Sequence, residues 1–531
     1  MPSLPLSKIQ QVKCTFPKGK IQNFRIFLEV SIVTLLLALL VFNFNLRSRR
    51  RKNLPPGPQR LPVIGNLHQL GELPHRSLRR LAEKHGPLMH LQLGQIPAII
   101  VSSPEVASEV MKTHDLAFCS RPATPVLMKF SYNGSDMAFS KYGEHWRQLK
   151  RLGTLEILSM KRVQHFRSVR EEEVHVLIQS IRRSCSQEPV NLSEMFLCMS
   201  NNIICREVFG KRFSDDGECN RSEHHDLVLE IIELMGGFFL ADFFPSFKWL
   251  SVVTGLQGKL EKNFKRMNEF FEREIEEHSL SLMNDQGRDD KEENDFVDVL
   301  LKSQKDSTNL GFSLARDQIK GVLLNMFLGG TDTSAATLEW AMTELMRNPS
   351  IMKKAQDEVR SVLGNKGKID ESDLQHLQYL KLIINETLRL HCIVPLLIPR
   401  ESRQDCTLFG YDIPKNTRVF VNAWVMARDP KLWENPEVFM PERFEENAIN
   451  YKGQHFEFIP FGAGRRICPG IQFGVTAIEI ALANILYHFN WELPSSLSYE
   501  DIDMSETFGL VLHKKSPLVL MARPINILVK T

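Results

Sequence analysis

The chain has 531 residues, 43% hydrophobic and 24% charged, and its 66 Lys and Arg nearly balance 63 Asp and Glu for a formal net charge of +3. That small imbalance argues against a nucleic-acid partner, and the composition is that of a globular protein with ample material for a core. Nine cysteines lie scattered without CxxC spacing, which excludes a zinc ribbon or a disulfide framework and points to a reducing compartment.

Residues 1–25 read as an N-terminal tail carrying Lys13, Lys18, Lys20 and Arg25. Residues 26–46 follow as a predicted transmembrane anchor centred on Val30 to Phe42, since a span needs about 20 apolar residues. Residues 47–58 join a basic run, Arg47 to Lys52, to Leu54-Pro55-Pro56-Gly57-Pro58, a stiff polyproline-like spacer. Basic charge on the C-terminal flank, with no small-residue cleavage site before it, favours an anchor over a signal peptide. Charge upstream is comparable, so orientation stays open on charge alone, and a plastid transit peptide over the first two dozen residues remains the alternative. Residues 59–531 are expected to form one large domain on the cytosolic side.

From about Ser77 most of this body reads as helix, with strand-like pieces near Leu88–Val101 and Thr417–Asn422 and a polar loop from Asn284 to Asn294. The expected class is mainly α with a small β part. The longest helical pattern runs from Ser313 to Asn348, stopped by Pro349, and would extend about 50 Å. In its middle lies Gly329-Gly330-Thr331-Asp332-Thr333-Ser334. Two glycines inside a helix cost about 1 kcal/mol each relative to alanine. Close helix packing, a tolerated kink, or a local widening that admits dioxygen beside a hydroxyl and a carboxylate would each account for them. Further on, Glu386 and Arg389 stand three apart on one helical face, and Pro441-Glu442-Arg443-Phe444 follows.

The most informative string is Phe461-Gly462-Ala463-Gly464-Arg465-Arg466-Ile467-Cys468-Pro469-Gly470. A thiolate can ligate haem iron and push electron density into it, favouring O–O cleavage. The glycines let backbone approach closely, and Pro469 suits the first position of a helix over Ile471 to Phe489, whose positive end would stabilise the thiolate. Arg466 can reach a haem propionate. A dinucleotide-binding loop fails, because Ile467 stands at the third glycine position. A buried structural cysteine is the ordinary alternative.

The string resembles the haem-thiolate signature of the cytochrome P-450 family, Phe-x-x-Gly-x-Arg-x-Cys-x-Gly. The ordered set Gly329–Thr333, Glu386/Arg389, Pro441–Phe444 and Phe461–Gly470 is most similar to plant A-type microsomal members, over nearly the whole chain after Pro55. The resemblance implies the cytochrome P-450 fold, a single large helical haem domain behind an N-terminal transmembrane anchor in the endoplasmic reticulum membrane. It implies haem b with Cys468 as axial ligand and Phe461 heading the loop. Arg466, Trp146, Lys150 (where arginine is commoner), Arg121 and Arg400 would contact propionates. Thr333 would hydrogen-bond the bound oxygen, Asp332 would relay protons, and Glu386, Arg389 and Arg443 would form a charge network behind the haem. Electrons would come from NADPH through an NADPH-cytochrome reductase docked on a basic face with Lys150, Arg151 and Arg465. The substrate would be a lipophilic plant metabolite, a terpenoid first among the candidates.

The sequence departs from the plant pattern His-Pro-Pro at His391-Cys392-Ile393. Apolar pocket walls are expected from the Ala123–Phe130 loop, Gly236–Phe244, the helix face around Met326, Val394–Ile398 and Phe508–Val511. Phe243-Phe244-Pro245 with Trp249 is expected to dip into the bilayer. The alternatives are a haem-thiolate isomerase or dehydratase needing no dioxygen, and a non-catalytic haem- or lipid-binding membrane protein.

Overall fold

Leu88–Leu93 (β1), rich in Leu and Met, and Ile96–Val101 (β2), apolar throughout, pair as a hairpin, with Leu93 opposite Ile96. Gly94 turns it at φ +58°, in the left-handed region that favours glycine. The predicted strand-like stretch is thus two strands. The computed structural model describes residues 53–525 except 185–187, 214–222, 238, 248, 285–294, 306–312, 365, 367 and 495–497. The predicted tail, anchor and basic run lie outside the described residues, as does all but the first residue of the predicted polar loop.

Val190–Asn191 (β3), Arg400–Glu401 (β4), Arg418–Val421 (β5), Phe489–Glu492 (β6), Glu506–Thr507 (β7), His513–Lys514 (β8) and Val519–Pro524 (β9) complete the main β part. One sheet has the order β1-β2-β5-β4, another β3-β9-β6, and β7 pairs with β8. Pro55 to Pro58 run beside β1. The His90 N–H donates to the Pro56 carbonyl at 2.9 Å, and a Cβ on Gly57 would come 2.1 Å from the His90 carbonyl oxygen.

The principal helices are Pro74–His85 (α1), Glu144–Leu152 (α2), Arg167–Ser184 (α3), Leu192–Phe209 (α4), Leu256–Asn284 (α5), Arg316–Gly330 (α6), Asp332–Arg347 (α7), Gln378–Leu390 (α8) and Ile471–His488 (α9). Buried apolar residues of α3, α4, α7, α8 and α9 form one continuous cluster, and those of α5 and α6 another. Trp340 at the centre of α7 has no exposed surface, and its indole N–H donates to the Leu512 carbonyl at 3.2 Å, which satisfies its one polar atom. Among the described residues one helix, α9, is long and apolar enough to cross a membrane. It is apolar all round because it is a core helix, with 78% of that window buried.

The single helix expected from Ser313 to Asn348 is two. It breaks at Thr331, between α6 and α7. Glycine at 329 and 330 removes the propensity that would carry the helix through, and the Thr333 hydroxyl donates to the Gly329 carbonyl at 2.6 Å. Pro469 likewise sits before the helix cap rather than at the first helical position, which Ile471 takes after Gly470.

Candidate active site

A cavity of about 310 Å³ lies between the α6–α7 break and the loop that ends in Cys468. The loop's shape is dictated by its glycines. Gly462 and Gly464 have φ of +72° and +68°, and a Cβ on Gly464 would sit 2.1 Å from the Met111 carbonyl oxygen. The Cys468 N–H closes the loop by donating to the Phe461 carbonyl at 3.0 Å. Cys468 consequently lines the cavity and is exposed to it, with its sulfur well inside the protein. Burial pushes its thiol up, and a hydrogen bond from the Gly470 backbone works in the opposite sense. Phe461 lines the same wall, its ring edge-on to Tyr451 at 5.4 Å.

Trp146, Lys150, Arg121, Arg400 and Arg466 all line this cavity. Arg466 lies over the Trp146 ring at 4.2 Å and donates to the carbonyls of Cys119 (2.8 Å) and Ser140 (2.6 Å). Arg121 donates to Ala138, Ile398 and Pro399 carbonyls. Arg400 pairs with Asp115 at 2.8 Å. Lys150 is half-buried, with its ammonium on the Arg465 carbonyl. Burial lowers the pKa of every one of these cations. Arg466, brought to about 10, and Arg400 depress Arg121 further, and Arg466 depresses Lys150. Four cations around one cavity wall, with the Asp115 carboxylate on Arg400, leave positive charge in surplus. Such a surplus is stable only beside anionic groups.

The same cavity is lined by Met326, Gly329, Thr333 and the Ile393–Val394 and Leu397–Ile398 pairs. Among the expected pocket walls, the Met326 face and the 394–398 segment border it. Among the described residues, those of 123–130, 236–244 and 508–511 do not. Residues 125–130 form a short helix capped by Thr124, Phe243 and Phe244 pack with Leu91 and Ile100, and Val511 packs with Trp340 and Ile393. These are core roles, the commoner fate of apolar runs. Trp249 is exposed, as are Val252 and Val253.

The two acid–hydroxyl residues point differently. Thr333 faces the cavity, whereas Asp332 is buried away from it and its carboxylate accepts from His513 Nε2 at 3.0 Å. His513, 181 positions away, carried no signal in the sequence. Asn325 was equally silent. Its amide oxygen accepts from the N–H groups of Met137 and Ala138, and its amide nitrogen donates to Asp136 at 2.8 Å. Burial raises Asp136 to about 6 against that bond. Asn325 borders the cavity with its polar atoms already committed.

Behind the site, Arg389 makes two hydrogen bonds to Glu386, at 2.7 and 2.8 Å, and Arg443 a third at 3.1 Å. Arg389 lies over the Trp433 ring at 5.3 Å. The network locks α8 to the Pro441–Phe444 turn.

This donor set fits the prosthetic group the signature implies: a thiol below, an apolar face above, and cations at one edge for two carboxylates. The profile of the family described as Cytochrome P450 matches residues 55–521. Cytochrome P450 71A1 of Persea americana is 54% identical, covering 93% of this chain and 98% of its own. Strychnine-11-hydroxylase of Strychnos nux-vomica is 49% identical (92% and 94% covered) and costunolide synthase of Cichorium intybus 47% (93% and 98%). A solved zebra fish cytochrome P450, described with abiraterone, superposes with a TM-score of 0.73 at 25% identity, covering 86% of this chain and 100% of its own.

Proposed function

The chain belongs to the cytochrome P450 family and is a monooxygenase that binds haem through a cysteine thiolate, and on that premise we propose that Cys468 is the axial ligand and that the enzyme hydroxylates or otherwise oxidises a small lipophilic plant metabolite. The observation that carries this assignment is that Cys468 lines the same cavity that Thr333 borders.

Haem bound there supplies dioxygen activation, with the thiolate as electron donor. Every other task falls to the chain. The 461–468 loop holds the sulfur in place, and the Gly470 N–H lowers the cost of its negative charge. Arg121, Arg400, Arg466 and Lys150 would hold the group's two carboxylates, with Trp146 supporting Arg466. Gly329 and Thr333 would leave room and a hydroxyl beside it. Met326, Val394, Leu397 and Ile398 exclude water and orient the substrate by shape.

Relatives of nearly equal identity are named for strychnine and for costunolide, so overall similarity does not choose the substrate. The apolar walls, with Asn325 committed to the backbone, support an uncharged lipophile such as a terpenoid. Exposed Trp249, Val252 and Val253 support a membrane-facing entry, in line with an anchor at residues 26–46 and an endoplasmic reticulum location. Electrons would come from an NADPH-cytochrome reductase. Arg465 and Arg151 are exposed and suit an acidic partner, while half-buried Lys150 serves the propionate edge instead.

The test is the reduced, carbonyl-bound spectrum of the purified full chain. Cys468→Ser removes its thiolate band. A band unchanged in the variant would refute Cys468 as ligand.

A further inference from the structure

The Asp332 carboxylate is turned away from the cavity, 1% exposed, and among the described residues its side-chain partner is His513 Nε2 at 3.0 Å. His513 sits on β8, opposite Thr507 of β7, and keeps about a third of its side chain, 36%, within reach of water. One imidazole therefore touches solvent and a buried carboxylate at once. Next to Asp332, at the helix break, Thr331 Oγ1 is buried and has no hydrogen-bond partner among the described residues, and on the other side Thr333 faces the cavity. The path from solvent to cavity thus runs His513, Asp332, the break, Thr333.

We propose that His513 is a positioning residue for the reaction: it pins Asp332 and is the group through which solvent protons enter. This deepens the monooxygenase reading and rests on it. The transfer balances as one proton and no electrons. His513 Nδ1 takes a proton from water, Nε2–H passes one to the Asp332 carboxylate, and tautomer exchange with solvent restores the ring. A cysteine-ligated monooxygenase needs protons beside an apolar pocket, and a direct water channel from the substrate side would admit bulk solvent.

The surroundings suit the role. Burial lowers the His513 pKa, but the hydrogen bond and charge of Asp332 and the charge of Glu339 outweigh it and raise the group above its usual value. The other charged groups nearby are already engaged. Glu506 on β7 is paired with His75 and Arg76, Lys514 donates to the Asp503 carbonyl, and Glu339 accepts from Ser193.

The experiment uses the haem-loaded full chain with a microsomal reductase and no added substrate, comparing wild type, His513→Gln and His513→Lys. Lysine keeps the ion pair with Asp332 but holds its proton, so it preserves structure where glutamine fails to fold. NADPH-driven oxygen uptake should fall tenfold or more in the variants, with a larger solvent deuterium isotope effect and without the inflection at the His513 pKa. Uptake and pH profile equal to wild type in His513→Lys would overturn the proposal. In the resting ferric protein, ¹⁵N imidazole titration should place His513 above 6.5 and lower in Asp332→Asn, and an unchanged value would equally overturn it. Wild type that consumes no oxygen would refute the monooxygenase reading alone, since the titration needs no turnover.

Discussion

A Cβ on Gly330 would lie 2.2 Å from Ile204 Cδ1, whereas one on Gly329 would meet nothing within 4 Å. The adjacent glycines therefore do different things. Gly330 lets α6 pass close to α4, and Gly329 widens the cavity beside Thr333.

Gly330→Ala should destabilise by about 1–3 kcal/mol through overpacking against Ile204. Gly329→Ala should be neutral or stabilising by up to about 1 kcal/mol through helix propensity, yet alter substrate binding. Thermal loss of the haem spectrum measures the first difference, and substrate-induced spectral shifts the second. Equal stability of the two variants would remove the distinction.

Arg389→Ala leaves the Glu386 carboxylate buried with Arg443 as its remaining cation. Breaking such a pair costs about 3–5 kcal/mol, so the variant should accumulate with little haem. Haem content per protein, read from the pyridine haemochrome, checks it. Normal content would show that the network is dispensable.

Thr333→Ala removes the one hydroxyl of the acid–hydroxyl pair that borders the cavity while leaving the cysteine loop intact. Haem content and the carbonyl spectrum should persist, and the share of NADPH electrons recovered as hydrogen peroxide should rise several-fold. An unchanged peroxide share would discard the assigned role.

Glu506 ties α1 to β7 through His75 at 3.2 Å and Arg76 at 2.9 Å. Burial pushes its carboxyl up, but the hydrogen bonds from His75 and Arg76 and the Arg76 charge prevail and hold it at about 2. A carboxylate below its unfolded pKa of about 4.3 stabilises the fold fully above that pH and loses the contribution as pH falls toward 2. The shift corresponds to about 3 kcal/mol. Glu506→Gln should thus unfold at lower urea than wild type at pH 7, with the gap closing from pH 4.5 downward. A gap independent of pH would assign the loss to packing.

Local order was legible in the sequence wherever its cause was local. Gly462, Gly464 and Cys468 lie within seven residues, and the turn they encode needs only their own φ values and backbone closure. Glu386 and Arg389 share a helix face, so their pairing follows from helical spacing. Strand-like stretches and the apolar helix over 471–488 follow likewise from local runs of apolar residues. Tertiary structure alone decided what each side chain meets across the fold. It set Gly330 against Ile204, turned Asp332 outward to His513, consumed Asn325 in holding Asp136, and sent Phe243 and Phe244 into the core. Those contacts join positions far apart in the chain, and composition and spacing carry no record of which distant surface a residue will face once the helices pack.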